Sequence, residues 1–243
     1  DFSKDDVERL LSFISSCKMD MVEPEDSQAR AEDASGILAS RVYSRYAAMM
    51  QSYGALDLDD LIYLPVIFFR SHPDVLARWQ RRLRYILVDE YQDTNSCQYE
   101  LLKLLAGERQ AFTVVGDDDQ SIYSWRGARP ENIDLLIRDF PQTKVIKLEQ
   151  NYRSTGRILK CANALISSNS HTFGKKLFSS ADFGPKVNVF VTKDDERQAE
   201  LLSGEILGST YMHHARWKDY AVLYRSSHLS RVIEKAFVRN RIP

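Results

Sequence analysis

Acids gather at the ends of two short apolar runs, where a folded chain could put them to chemical use. The run YILV at 85–88 stops at Asp89 and Glu90, and FTVV at 112–115 stops at Gly116, three successive aspartates and Gln120. Two carboxylates at a buried strand end are costly unless something uses them. A magnesium–nucleotide site is one use. The first acid holds the metal directly or through water, and the second orients and deprotonates the attacking water. Gln120, at the next strand end, is then placed to sense a terminal phosphate. A plainer reading stays open: Asp89 and Glu90 begin a solvated loop, and Asn95 or Ser96 caps the helix that follows.

Both runs are β-rich and do not alternate, the pattern of strands buried on both faces of a parallel sheet. Between them Cys97, Leu101, Leu104 and Leu105 fall at helical spacing, so the stretch reads as β-α-β. In such sheets chemistry collects at the carboxyl ends of the strands, where both runs deliver their polar residues.

Three longer strings sharpen this reading. LVDEYQDTN at 87–95, VVGDDDQSIYSWRGA at 114–128 and LEQNYRS at 148–154 closely resemble motifs of the Rep/UvrD/PcrA helicases of superfamily one, most nearly the Rep-like members. The resemblance extends over most of the chain. It implies RecA-like parallel sheets with helices on both faces, plus an N-terminal helical subdomain. On that pattern, 1–70 is part of the helical subdomain, 71–152 the remainder of a first motor domain, and 153–243 the start of a second. It also implies an ATP- and Mg2+-dependent motor moving 3′ to 5′ on single-stranded DNA and opening 3′-tailed duplexes, in replication or repair.

By the same resemblance Asp89 is the magnesium-linked acid and Glu90 the base for hydrolytic water. Gln120 couples the terminal phosphate to the DNA loop. Arg153 matches an arginine finger at the domain junction, whose guanidinium neutralises charge developing on the transferred phosphoryl. Its alternative is a structural ion pair. Tyr152 matches a tyrosine that stacks on adenine. Tyr123, Trp125 and Arg126 follow Gln120 in one loop, and aromatics beside a cation suit sequence-independent binding of single strands. Tyr224-Arg225 with Ser230-Arg231 resembles a further family element, either structural or in contact with the DNA backbone. LDLDDL at 56–61 resembles another, in which Asp57 or Asp59 touches a ligand or caps the next helix. The sequence departs from the family in having no Gly-x-x-x-x-Gly-Lys-Ser/Thr phosphate loop. The chain is therefore expected to be an internal fragment, inactive by itself, of an active helicase.

Composition sets the bounds. At 243 residues with ordinary apolar and charged fractions, the chain can bury a substantial core in one or two domains. No apolar run is long enough to span a bilayer, and the first residues do not read as a signal peptide. Three scattered cysteines, none in a Cys-x-x-Cys pair, suggest neither zinc nor a disulfide framework, and point to a reducing cytoplasm or nucleoid. The net charge of −1 requires any DNA groove to be local.

Hydrophobic spacing predicts helices at 5–17 (capped by Ser3), 32–53 (with Ile37, Val42, Tyr46 and Met49 or Met50 inward, stopped by Gly54), through Leu61 to Phe68, and from Pro73. Arg78, Arg81, Arg82 and Arg84 read as a solvated basic face or a binding patch. Further helices are expected at 133–137, 155–167, 194–207 and 229–238. Further strands are expected at 144–148, 187–191 and 220–224, with a polar, glycine-containing stretch at 168–185.

Overall fold

The computed structural model describes residues 3–169 and 173–243; residues 170–172, inside the polar stretch, lie outside them. The chain forms a mixed, helix-rich fold with a small parallel sheet, divided into two compact units. The first holds residues 3–154 and 159–180, the second 155–158 and 181–243.

In the first unit α1 (Lys4–Met19) starts at a capping box, with Ser3 and Asp6 satisfying each other's backbone N–H. The next helix, α2 (Ala34–Tyr53), ends at Gly54 in the left-handed conformation that glycine adopts most easily. Its inward face matches the expected one only in part. Ala39, Ser40 and Tyr43 are buried, Val42, Tyr46 and Met50 half-buried, and Ile37 and Met49 exposed. The buried ring of Tyr43 packs with Ile14 and Cys17 of α1, so this contact sets the helix rotation. Helices α3 (Asp60–Ser71) and α4 (Pro73–Arg82) follow, Pro73 sitting at the first helical turn, where no N–H is missed. Arg78, Arg81, Arg82 and Arg84 are exposed, as a solvated face would be.

The β-α-β unit forms. β1 (Ile86–Val88) and β2 (Phe112–Val114) pair in parallel, Val88 opposite Val114, with α5 (Ser96–Ala106) between them. Asn95 caps α5 and Gln98 returns the bond, completing a second capping box. Helix α5 is apolar on two sides. Cys97, Leu101 and Leu104 face Tyr63 and Val66 of α3, while Tyr99 and Leu102 join Tyr91, Ile133, Leu136 and Phe140 under the sheet. Helix α6 (Asn132–Asp139) supplies Ile133 and Leu136.

The sheet departs from the expected burial on both faces. Ile86, Val88, Phe112 and Val114 turn inward, but Leu87 on the other face is 77% exposed. The runs at 144–148, 187–191 and 220–224 do not pair as strands among the described residues; only Gln150 and Phe178 make an isolated parallel bridge. A strand is defined by a neighbour's backbone, so an apolar run stays extended until one is supplied. Helix α7 (Gly156–Ile166) is shared between the units. The second unit also contains α8 (Asp195–His213), longer than expected, and α9 (Ser230–Arg239), which packs on it. Cys17, Cys97 and Cys161 are free thiols. Among the described residues no helix is long and apolar enough to cross a membrane.

Candidate functional site

Parallel pairing brings the ends of β1 and β2 to one edge. The Val115 N–H donates to Val88 O and the Tyr91 N–H to Val115 O, at 2.8 and 2.9 Å, carrying the pairing beyond the strands. Asp89 and Glu90 therefore emerge beside Gly116. Both side chains are exposed. Glu90 has φ +50°, in the left-handed region, which costs a non-glycine residue roughly 1 kcal/mol or more. That reversal turns the chain into a short 3-10 segment at Tyr91–Asp93 and leaves the two carboxylates at the mouth of the strand. Asp89 Oδ1 accepts the Glu90 N–H at 2.9 Å. Among the described residues no further hydrogen bond holds the exposed Asp89 carboxylate, so its second oxygen could ligate a hard cation such as magnesium.

Gln92 joins the two strand ends, a role that the sequence reading missed. It is 1% exposed, donates from Nε2 to Glu90 Oε2 at 2.7 Å and accepts the Asp117 N–H at Oε1 at 2.9 Å. Gly116 permits the approach, since a Cβ there would lie 2.9 Å from Gln92 Oε1. Beyond it, Asp117 takes the Asp119 N–H and the Gln120 side-chain amide, the latter at 2.7 Å. The acids Asp117, Asp118 and Asp119 lie close enough together to hold a metal, but the Lys175 ammonium already pairs with all three. Burial acts to raise the Asp117 pKa, but hydrogen bonds from Lys175 and Gln120 outweigh it and hold the carboxyl below its usual value. Burial likewise acts to lower the Lys175 pKa, and the three carboxylates outweigh it, so the ammonium stays charged. Lys175 lies more than fifty positions from its partners in sequence, so no local spacing could reveal it.

Tyr123, Trp125 and Arg126 form a second group. The Arg126 guanidinium lies 4.8 Å from the Trp125 ring centroid and 5.6 Å from that of Tyr123, and the two rings are 6.4 Å apart. Trp125 is 74% exposed, so this indole is not a core residue. The loop is anchored at its far end, where Arg129 donates its N–H to Thr94 O and its guanidinium pairs with Asp20 at 2.7 Å. Asp20, at the end of α1, also pairs with Arg30. Buried Asn132 donates to Thr94 O and Asn95 O, fixing the segment between the strand end and α5.

Tyr152 and Arg153 bond within their own segment and do not join the strand-end network. The Tyr152 hydroxyl donates to Gln150 Oε1 at 2.9 Å, and Asn151 Oδ1 accepts the N–H groups of Arg153 and Ser154. Both side chains are exposed, and Arg153 makes no ion pair with a described residue. Asp57 caps the start of α3 by accepting the Asp60 N–H, whereas Asp59 makes no side-chain cap. Asp57 also takes the Tyr46 hydroxyl and, with Asp60, the buried ammonium of Lys18. In the second unit Tyr224 lines a cavity with Trp217, Tyr220 and Phe237.

Comparison with known proteins gives two family matches, to the UvrD/REP helicase N-terminal domain over residues 1–141 and to the UvrD-like helicase C-terminal domain over 146–243. The ATP-dependent DNA helicase Rep of Salmonella typhimurium and that of Escherichia coli are each 51% identical over 98% of this chain and 35% of their own length. The ATP-dependent DNA helicase PcrA of Leuconostoc citreum is 40% identical over 100% of this chain and 32% of its own. The chain thus spans about a third of the length of the curated relatives it matches.

Proposed function

The chain belongs to the UvrD/REP helicase family, and on that premise we propose that it is part of an ATP-dependent DNA helicase, carrying hydrolytic and DNA-gripping residues of the motor. The observation that carries this reading is the single hydrogen-bonded network from Glu90 through Gln92 and Asp117 to Gln120, with the exposed Tyr123–Trp125–Arg126 cluster three to six residues on. Residues suited to hydrolysis and to base stacking are thereby mechanically continuous.

In this reading Asp89 holds Mg2+, which when bound offsets the charge of the phosphate oxygens, and Glu90 takes the proton of the attacking water. Gln120 senses the terminal phosphate, Arg153 neutralises charge developing on it, and Tyr152 stacks on adenine. Tyr123, Trp125 and Arg126 hold single-stranded DNA, with 3′-tailed duplexes as the substrate, 3′ to 5′ as the direction, and replication or repair in the nucleoid as the setting. The fold proposed is RecA-like: residues 1–70 in a helical subdomain, 71–152 in the first motor domain and 153–243 in the second. Because no phosphate-loop sequence is present, the chain alone is proposed not to turn over ATP.

The test is phosphate release by the full-length protein with single-stranded DNA. Glu90→Gln and Arg153→Ala should abolish turnover while leaving nucleotide binding largely intact, because both groups act on the transition state. Near-normal kcat in Arg153→Ala refutes its role, and turnover by the isolated chain that Glu90→Gln abolishes refutes the proposed dependence on a phosphate loop.

A further inference from the structure

Gln92 is more completely buried than any group it bonds to with its side chain, and both ends of its amide are used. The chemistry of its partners fixes which end points where. The Asp117 backbone N–H can only donate, so the atom facing it must be the amide oxygen. The NH2 group is then turned to Glu90 Oε2, 2.7 Å away, where an ionised carboxylate can only accept. Neither bond survives a flip of the amide. Gly116 enforces the arrangement from the other side, since any Cβ would press on Gln92 Oε1. Ser121 adds a long contact of 3.4 Å from its hydroxyl to Gln92 O.

We infer that Gln92 is a positioning residue: it aims the Glu90 carboxylate and ties that aim to the backbone at the start of the Gln120 turn. The inference rests on the reading of Glu90 as the base. The logic is that of any catalytic base held by a third group, here an amide anchored to a peptide N–H. Glu90 needs such a holder. It is itself held in the strained left-handed conformation at an exposed strand end, and packing does not confine its side chain. A shift of the Asp117 turn pulls on the amide oxygen, and the amide nitrogen carries that movement to the carboxylate. The state of the turn is thereby conveyed to the base through one side chain.

The experiment is ATP hydrolysis by the full-length protein, with kcat and KM separated, for Gln92→Leu, Gln92→Glu and Glu90→Gln. Thermal melts identify the folded variants. Gln92→Leu removes both bonds, and kcat is expected to fall about 10- to 100-fold at little change in KM, as for a misplaced reacting group. Gln92→Glu keeps the shape and can still accept the Asp117 N–H, but it no longer donates to Glu90, so its kcat should fall as well, again at little change in KM. A purely structural staple would lower the melting temperature and leave the kcat of the folded variants native. Native kcat in folded Gln92→Leu or folded Gln92→Glu overturns the inference. Full turnover in Glu90→Gln instead overturns the assignment of the base, so the two failures are distinguishable.

Discussion

On the proposed reading, replacing Trp125 with alanine separates DNA grip from fold stability. The indole is 74% exposed, and its contacts are the Arg126 guanidinium at 4.8 Å and, more loosely, the Tyr123 ring. A side chain that open contributes little to the core, and folding stability should change by no more than about 0.5 kcal/mol. Stacking of a base on an aromatic ring is worth roughly 1–3 kcal/mol. At about 1.4 kcal/mol per decade, Trp125→Ala should weaken single-strand binding about 5- to 140-fold. The loss should be similar across sequences, because stacking does not read base edges. It should leave the salt dependence unchanged, because no phosphate contact is lost. Arg126→Ala should behave differently, flattening the salt slope by roughly 0.7 for one phosphate contact and freeing the two rings it now bridges. The assay is fluorescence anisotropy of labelled oligonucleotides with the full-length protein over a salt series, alongside DNA-stimulated ATP hydrolysis. A folded Trp125→Ala protein with unchanged affinity and stimulation would refute the stacking argument.

Two further changes probe the scaffold. Lys18 is 4% exposed and lies 2.6 and 2.7 Å from Asp57 and Asp60, so Lys18→Met strands two carboxylates and should cost about 3–5 kcal/mol in urea unfolding; a loss under about 1 kcal/mol would refute this. Burial acts to raise the Asp57 pKa, but bonds from Lys18, the Asp60 N–H and Tyr46 together hold it below the usual value. Its contribution is therefore full above about pH 4 and disappears as pH falls through the folded pKa, an acid dependence that Lys18→Met should weaken. Lys175→Ala leaves Asp117, Asp118 and Asp119 without the ammonium they share, so the melting temperature should drop more at low salt than at high. An equal drop at both would exclude repulsion among the three acids as the cause.

Much of the local architecture was legible because its causes lie within a few residues. Ser3 with Asp6 and Asn95 with Gln98 are reciprocal caps three positions apart, and Gly54 stops α2 by its own backbone freedom. The β-α-β unit was legible for the same reason, since Cys97, Leu101 and Leu104 recur at the helical period between two apolar runs. The motif strings marked the residues at the strand ends. Their spacing did not tell that Gln92 would bridge Glu90 and Asp117, because that contact requires β1 and β2 to be paired in register before the amide has anything to reach. Lys175 and Lys18 were unreadable for a stronger version of that reason: each meets its carboxylates across a long separation in sequence with helices between, and any exposed lysine has the same local pattern. Burial of the strands misled in the opposite direction. An uninterrupted apolar run shows that both faces can be covered, but Leu87 remains open because its burial depends on other parts of a fold rather than on its own neighbours in sequence. Helix ends and periods are short-range physics and follow from composition and spacing, whereas strand pairing, charge neutralisation and the aim of a carboxylate are settled when distant segments meet.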